Sequence, residues 1–147
     1  MISRDEFLLK IRPVISNAKV TSLMSKEEIF QNKTIRPVAL LQNDILVEVF
    51  KHYIKKHKNV FYDLSVEKRI DYIENAIHKD MKFRNSLKGI MIGQFTIAEH
   101  QDYVSNSSAL SRSHLSHLFM LLIGCVNRRD MFAVVSMQLN YCQLVMQ

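Results

Sequence analysis

The sequence predicts an all-α protein, a compact bundle of five to six helices that forms a single domain over residues 1–147. Only three of the 147 residues are glycine and two are proline, whereas an all-β chain needs many such residues to turn between short strands. Apolar residues also recur every three or four positions over long stretches, which is the period of an amphipathic helix. The length is that of one ordinary domain with its own core.

The N-terminal part of the chain predicts helices at three places. The first spans about residues 4–17 and is interrupted by a proline. Ser25 and Glu28 have the spacing of a capping box, so a short helix starts after Ser25. Pro37 suits the first turn of the following helix, where its missing N–H costs nothing, and we expect that helix to continue to about Lys58. Its apolar face is expected to consist of Val38, Leu41, Ile45, Val49 and Tyr53.

The middle of the chain contains the most regular amphipathic pattern. Asp63 or Ser65 can cap a helix there. A further helix begins at Asp80, and Gly93 is well placed to end it in a left-handed conformation. The apolar stripe of the first of these two helices, which we expect to face the core, consists of Val66, Ile70, Ile73 and Ile77.

A second capping box, formed by Thr96 and Glu99, predicts a helix that continues to about Val104. Two more helices are expected over roughly residues 109–125 and 130–146, separated by a polar Asn-Arg-Arg-Asp joint. The chain shows no internal repeat, low-complexity tract or interdomain linker. These features predict consecutive helices with short connections.

The C-terminal segment, residues 112–147, is unusually apolar. From His114 onwards, charged residues occur only at positions 128–130. A helix that is apolar around most of its circumference must be buried in its own fold or against another chain. Because a chain this short leaves little central space, we expect the segment to complete a homodimer or partner interface, with Phe119 and Phe132 in the self-association surface. Burial in the core of the monomer is the alternative.

The net charge of +6 suggests a partner with negative charge. Residues 50–88 carry ten lysines and arginines against five acidic residues. Lys51, Lys55 and Lys58 recur on one face of the predicted helix, and we take them as candidate partner-binding residues. They could form a solvated face, a surface for an acidic protein or a nucleic-acid contact. Nucleic acid is the weakest of the three, since neither a recognition-helix pattern nor an aromatic platform accompanies them in the sequence.

Metal binding is suggested by six histidines. His114 and His117 share a helix face, but no acidic residue lies near them in the sequence, as a di-iron bundle would require. Two other acid–histidine pairs are spaced four residues apart, Glu48 with His52 and Glu74 with His78. This is the spacing of ordinary pairs on a helix surface. We therefore predict no metal site.

Catalytic motifs are also missing from the sequence. Cys125 and Cys142 lie in apolar sequence without a nearby histidine, so we interpret them as structural thiols. The chain has no Gly-x-Ser-x-Gly elbow, phosphate loop or dinucleotide fingerprint. We predict a protein that is not an enzyme, with no catalytic residues and no cofactor.

The expected location follows from the absence of targeting signals. Acidic residues follow the N-terminus where a signal peptide would be basic and apolar. No uncharged apolar run approaches the ~18 residues of a membrane span, and two cysteines are too few for a secreted disulfide scaffold. We expect a cytoplasmic protein that does not enter a membrane, with non-classical secretion into a host as the alternative.

Two stretches carry a resemblance to known proteins. One is Phe30–Pro37, which reads FQNKTIRP and continues to Gln42-Asn43-Asp44; the other is Arg84–Thr96, which contains Gly-x-x-x-Gly-x-Phe-Thr and continues through Glu99 and Tyr103. Over residues 25–111 the chain resembles a family of small bacterial helical proteins, most of them uncharacterised. Within that group it is most similar to the helical inhibitors that some intracellular pathogens use to restrain their own ubiquitin-deamidating effectors.

The resemblance implies a compact helical fold with no enzymatic residues to transfer. It implies a protein that binds the deamidase and blocks its access to ubiquitin or to the ubiquitin-conjugating enzyme. The N-terminal extension, residues 1–24, lies outside the match. So does the chain past Ser111, where the family tends to continue with paired arginines. We therefore expect a non-enzymatic, protein-binding regulator; the alternatives are a nucleic-acid-associated regulatory protein and a metal-dependent helical enzyme.

Overall fold

The computed structural model describes residues 1–16 and 19–124, and within these ranges the chain forms seven helices and no strand. The all-α class predicted from the sequence is confirmed, and the expected number of five to six helices is too low. None of the described helices is long and apolar enough to cross a membrane. The predicted helix over residues 130–146 lies outside the described residues.

The helices are joined by short connections. Helix α2 is continuous through three segments, which are α-helical Lys26–Phe30, π-helical Gln31–Ile35 and α-helical Arg36–Leu41. A short 3-10 turn, Val60–Asp63, precedes α4. The other helices are α1 (Arg4–Ile11), α3 (Asn43–Lys56), α4 (Val66–Lys79), α5 (Met81–Ile92), α6 (Ile97–Ser105) and α7 (Ser107–Ile123).

Both predicted capping boxes are confirmed. The Ser25 hydroxyl accepts from the Glu28 N–H and the Glu28 carboxylate accepts from the Ser25 N–H, and Thr96 and Glu99 repeat this arrangement at the start of α6. A third capping box, between the third and sixth residues of the chain, begins α1 and was not predicted. Each box satisfies N–H groups that have no partner inside the helix, so the sequence alone determines where these helices begin.

The predicted break before Pro37 is wrong, because α2 continues through it. The turn before this proline is widened, with the N–H of Arg36 donating to the carbonyl of Gln31 five residues back. Proline lacks an N–H and its ring crowds the preceding turn, and a wider turn accommodates both effects. The helix ends instead at Gln42, which separates α2 from α3.

The break at Gln42 changes which side of α3 is buried. Ile45 is 48% exposed and Tyr53 is only half-buried, so the predicted apolar face is displaced. Both sets of residues have helical spacing, and the choice between two adjacent stripes depends on packing that periodicity does not show. The buried residues of α3 are Asn43, Leu46, Val47, Phe50 and Ile54.

The stripe predicted on α4 is confirmed in its second half. Ile73 and Ile77 are fully buried, whereas Val66, in the first turn, is 47% exposed. Helix α5 begins after Asp80 as predicted, with the Asp80 carboxylate accepting from a backbone N–H of the first turn. The left-handed conformation predicted at Gly93 is wrong, since no described glycine has a positive φ.

The chain divides into two compact units. Among the described residues, the first consists of Met1–Gln42 and Lys88–His117, and the second of Asn43–Leu87 with residues 118–124. Helices α5 and α7 therefore each contribute residues to both units. The single domain and the N-terminal extension expected from the sequence stay predictions.

Each unit has an aromatic core. In the first, Phe30, Phe95 and Tyr103 have ring centroids between 5.6 and 6.2 Å apart. In the second, Phe50 and Phe61 are fully buried, with their ring centroids 5.3 Å apart in an edge-to-face arrangement. Edge-to-face pairs of this kind are favourable because the positive edge of one ring meets the negative face of the other.

The burial of Ile73 gives a first test. We expect Ile73→Ala to lower the free energy of unfolding by roughly 2–5 kcal/mol, since it removes buried methyl groups and leaves a cavity. Val66→Ala, on the exposed turn of the same helix, should change it by less than about 0.5 kcal/mol. Denaturant unfolding followed by circular dichroism measures both. Equal losses for the two variants would contradict the described orientation of α4.

Candidate functional site

The N-terminal segment is held in the first unit by a half-buried carboxylate. The Arg12 guanidinium donates two hydrogen bonds to Glu99, of 2.5 and 2.7 Å, and the Thr34 hydroxyl donates a third of 2.9 Å. The Thr96 N–H donates to the same carboxylate. Burial raises the pKa of Glu99, but these hydrogen bonds and the charge of Arg12 outweigh it and lower the pKa. The carboxylate is saturated with donors, so its role is structural.

Two arginines of this segment also bind the turn between α5 and α6. Arg4 donates to the carbonyl oxygens of Gly93 and Phe95, at 2.8 and 3.0 Å. Arg12 donates to the carbonyl of Gln94 at 2.8 Å. A turn that follows a helix leaves carbonyl groups without intrahelical partners, and the two guanidinium groups satisfy them.

Of the two histidines considered as metal ligands, His114 is a core residue and His117 is half-buried. His114 is fully buried, and its Nδ1 lies 3.2 Å from the Tyr103 hydroxyl while its Nε2 lies 3.1 Å from the Met91 sulfur. His117 donates from Nδ1 to the Ser113 carbonyl, since that oxygen can only accept. Within the described ranges, no group of three or more His, Cys, Asp or Glu side chains could hold a metal ion.

Both rings are held in the neutral form. Burial lowers the pKa of His114 to about 3, helped by the positive charge of Lys88 and by His117. Burial likewise lowers the pKa of His117. A histidine that stays neutral at physiological pH and has partners for its ring nitrogens acts as a packed core residue.

The second unit contains an open groove of about 560 Å³. Its size lies within the roughly 300–1,000 Å³ of ordinary ligand sites. Rings and apolar side chains form its walls, and two lysines, an asparagine and a carboxylate supply its polar groups. The lining residues are Tyr53, His57, Tyr72, Asn75, Ala76, Lys79, Asp80, Met81 and Lys82. We call it the Tyr53 groove.

A column of three rings forms one side of the Tyr53 groove. The Tyr53 ring centroid lies 4.1 Å from that of Phe83 and 4.2 Å from that of His57, with the rings tilted by 33° and 34°. Tyr53 and His57 are four residues apart, at the end of α3, and Phe83 belongs to α5. The column therefore depends on the packing of α3 against α5.

The carboxylate of the groove has its own partners. Asp80 accepts from the N–H of Phe83 at 3.0 Å and from the Tyr53 hydroxyl. The first of these bonds is the main cause that lowers the pKa of Asp80. Burial, with the nearby Asp80 charge, raises the pKa of Tyr53 to about 12. Tyr53 therefore stays protonated and donates to a carboxylate that stays ionised.

The lysines singled out from the sequence do not line the groove. Lys51 is paired with Glu48 at 2.6 Å. Lys55 and Lys58 are exposed, and Lys58 has a left-handed backbone with φ of 62° where α3 ends. Of the two phenylalanines expected in the self-association surface, Phe119 is half-buried in α7, and Phe132 lies outside the described residues.

The sequence reasoning missed the groove residues because three elements contribute them. The spacing of Tyr53 and His57 on one helix face was a usable signal for a ring pair. The local sequence does not show that Lys79 and Lys82 lie near these two rings, because the turn around Asp80 brings them there. The aromatic platform beside basic residues, which seemed to be missing from the sequence, is formed in the fold.

Comparisons of the chain with models of known protein families, with curated proteins and with solved structures found no match. The resemblance to small helical effector inhibitors therefore stays a prediction. The groove, its ring column and its charges are the observations on which a function can be argued.

The buried histidine gives a second test, on the pH dependence of stability. Because the pKa of His114 falls from 6.5 to about 3 on folding, the folded state resists protonation, and stability is lost as the pH drops below about 6.5. We expect His114→Leu to reduce that loss by about 1 kcal/mol per pH unit between pH 6 and 5. Denaturant unfolding at several pH values measures it.

An exposed histidine provides the matched control for this test. His52 lies on α3 and is exposed, so His52→Gln should leave the pH dependence of unfolding unchanged. Glu99 acts at lower pH, because its lowered pKa keeps it ionised through this range. A slope for His114→Leu identical to that of the wild type would contradict a neutral, buried His114.

Proposed function

We propose that this protein is a non-enzymatic regulator that binds another protein, and that the Tyr53 groove receives an acidic segment of that partner. The observation that carries the proposal is the groove itself, an aromatic recess with lysines in its lining. Interfaces are enriched in tyrosine and methionine, and the groove has both. Charges of opposite sign on the two partners would add specificity and speed of association.

The charges around the groove support an acidic partner. Lys79 and Lys82 line it and are exposed, and Lys58 follows His57 directly in the chain. Asp80 is the single acid in the lining and already accepts hydrogen bonds from the protein. The balance of charge offered to a ligand is therefore positive.

Arg69 illustrates the difference between a structural and an available cation. Its guanidinium donates to the carbonyl oxygens of Phe61 and Tyr62 and lies 5.3 Å from the Phe61 ring centroid. This arginine stabilises the 3-10 turn. The groove lysines are exposed at the surface, where a partner can reach them.

The resemblance described above narrows the proposal further. According to this narrower proposal, the protein acts in the bacterial cytoplasm and inhibits a ubiquitin-deamidating effector. It binds the effector and blocks its access to ubiquitin or to the ubiquitin-conjugating enzyme. The proposed regulator is a homodimer that associates through Phe119 and Phe132. Lys55 and Lys58 extend the partner surface beyond the groove.

Nucleic acid is the second candidate partner. The observation that favours it is the ring column beside two lysines, since single strands bind where bases stack on rings and cations meet phosphates. Salt separates the two candidates. Phosphate contacts release counterions, so the logarithm of the binding constant for nucleic acid would fall steeply and linearly with the logarithm of the salt concentration.

Charge reversal in the groove tests the proposed function. The tagged protein is used to capture partners from the native cytoplasm, in parallel with the double variant Lys79→Glu, Lys82→Glu. We expect a protein that is retained by the wild type and lost with the double variant, because reversed charges repel an acidic segment. The captured protein is identified by mass spectrometry, purified and titrated against both forms by calorimetry.

Lys68→Glu is the matched control. Lys68 is an exposed lysine of α4 that does not line the groove. The Lys68→Glu substitution should change neither the capture of the partner nor its affinity measured by titration. Equal binding of the purified partner by the wild type and the groove variant, or equal loss with Lys68→Glu, would contradict a role for the groove.

A further inference from the structure

We infer that the Tyr53 groove recognises an aromatic side chain flanked by carboxylates, so that one ring of the partner stacks on His57 while its acids meet Lys79 and Lys82. The inference rests on the proposed function and specifies the ligand group that the groove takes.

The ring column ends at His57. Tyr53 is covered on its two sides by His57 and Phe83, so neither of its faces is open. His57 is exposed, and Tyr53 is its one ring neighbour among the described residues. A planar ligand can therefore extend the column only at His57. Offset stacking of this kind is a preferred arrangement of aromatic rings.

The His57 ring is fixed before any ligand arrives. Its Nδ1 lies 2.8 Å from the Tyr53 carbonyl oxygen. Since a carbonyl can only accept, Nδ1 carries the proton, and in the neutral ring Nε2 is left as an acceptor. No protein group binds this Nε2 in the described structure. A ligand ring thus meets a preorganised surface, which lowers the entropic cost of binding.

Tyr72 carries an unpartnered hydroxyl next to the groove. The residue lines the groove, but its hydroxyl is closed to solvent and has no hydrogen-bond partner among the described residues. Burial also raises the pKa of this hydroxyl, which keeps it protonated. Buried hydroxyls without partners are unusual in folded proteins. An indole N–H or a phenol of a bound ligand would satisfy it once the side chains around the hydroxyl move aside to admit the ligand.

The remaining lining residues fit one bulky side chain with acidic neighbours. Ala76 and the 63% exposed Met81 offer apolar contact, and a methionine thioether adapts well to an aromatic ring. Lys79 and Lys82 are separate, flexible cations, which suit single carboxylates spaced along a peptide.

A phosphate group fits the groove less well. Helix α4 ends at Lys79, and a helix C-terminus carries partial negative charge. The N-terminus of α5 would be the natural site for an anion, but Asp80 already occupies it as a cap. These features disfavour a concentrated dianion, so we favour an acidic aromatic peptide over a nucleotide.

Peptide binding tests the inference. The probe is a fluorescein-labelled Asp-Glu-Trp-Glu-Asp peptide, titrated with protein and followed by fluorescence anisotropy at moderate salt. Replacing tryptophan by alanine in the peptide, or His57→Ala in the protein, should weaken binding about three- to tenfold, as expected for one aromatic contact. Lys68→Ala should leave the affinity unchanged.

Tyr72→Phe separates a binding role from a structural one. Removing a buried hydroxyl without a partner should raise the thermal midpoint of the free protein. The same variant should bind the tryptophan peptide more weakly, because the ligand loses its hydrogen bond. Opposite changes in stability and affinity support the inference, and unchanged peptide affinity overturns the role of Tyr72.

The outcomes distinguish the inference from the proposed function. Equal binding of the tryptophan and alanine peptides overturns the aromatic anchor and leaves an acidic partner in place. Failure of both acidic peptides to bind contradicts the inference and the acidic-segment proposal together. Displacement of the peptide by a short oligothymidylate at lower concentration than by unlabelled peptide would assign the groove to nucleic acid instead.

Discussion

Phe50 holds together the elements that form the groove, although it does not line the groove itself. Its fully buried ring lies 5.3 Å from Phe61, 6.2 Å from Phe83 and 6.5 Å from Tyr72. These neighbours belong to the 3-10 turn, α5 and α4, so four elements meet at one side chain of α3. The positions of Tyr53, one turn along α3, and of the groove rings depend on this packing.

The first unit combines an aromatic core with a hydrogen-bonded carboxylate and a buried histidine. Glu99 accepts hydrogen bonds from three other residues, and the ring nitrogens of the buried His114 contact the Tyr103 hydroxyl and the Met91 sulfur. Hydrogen-bond networks of this kind help to specify one arrangement of the chain.

The predictions that succeeded are those determined by neighbours in the sequence. The Ser25 and Thr96 caps and the burial of Ile73 follow from short-range rules, and all three are present. The buried side of α3 was wrong because the break at Gln42 comes from packing, and the same error hid the role of Tyr53. A groove assembled from α3, α4 and α5 has no local signature, so its lysines could not be predicted; composition indicated only that the region is basic.

The most direct test of the account is to observe where an acidic aromatic peptide binds, by nuclear magnetic resonance of isotopically labelled protein during titration. The account predicts that the shifted resonances are confined to residues 53–57 and 72–82, with the largest changes at the His57 ring and the Tyr72 side chain. Shifts centred on Lys51 or on the first unit, with the Tyr53 groove unperturbed, would contradict it.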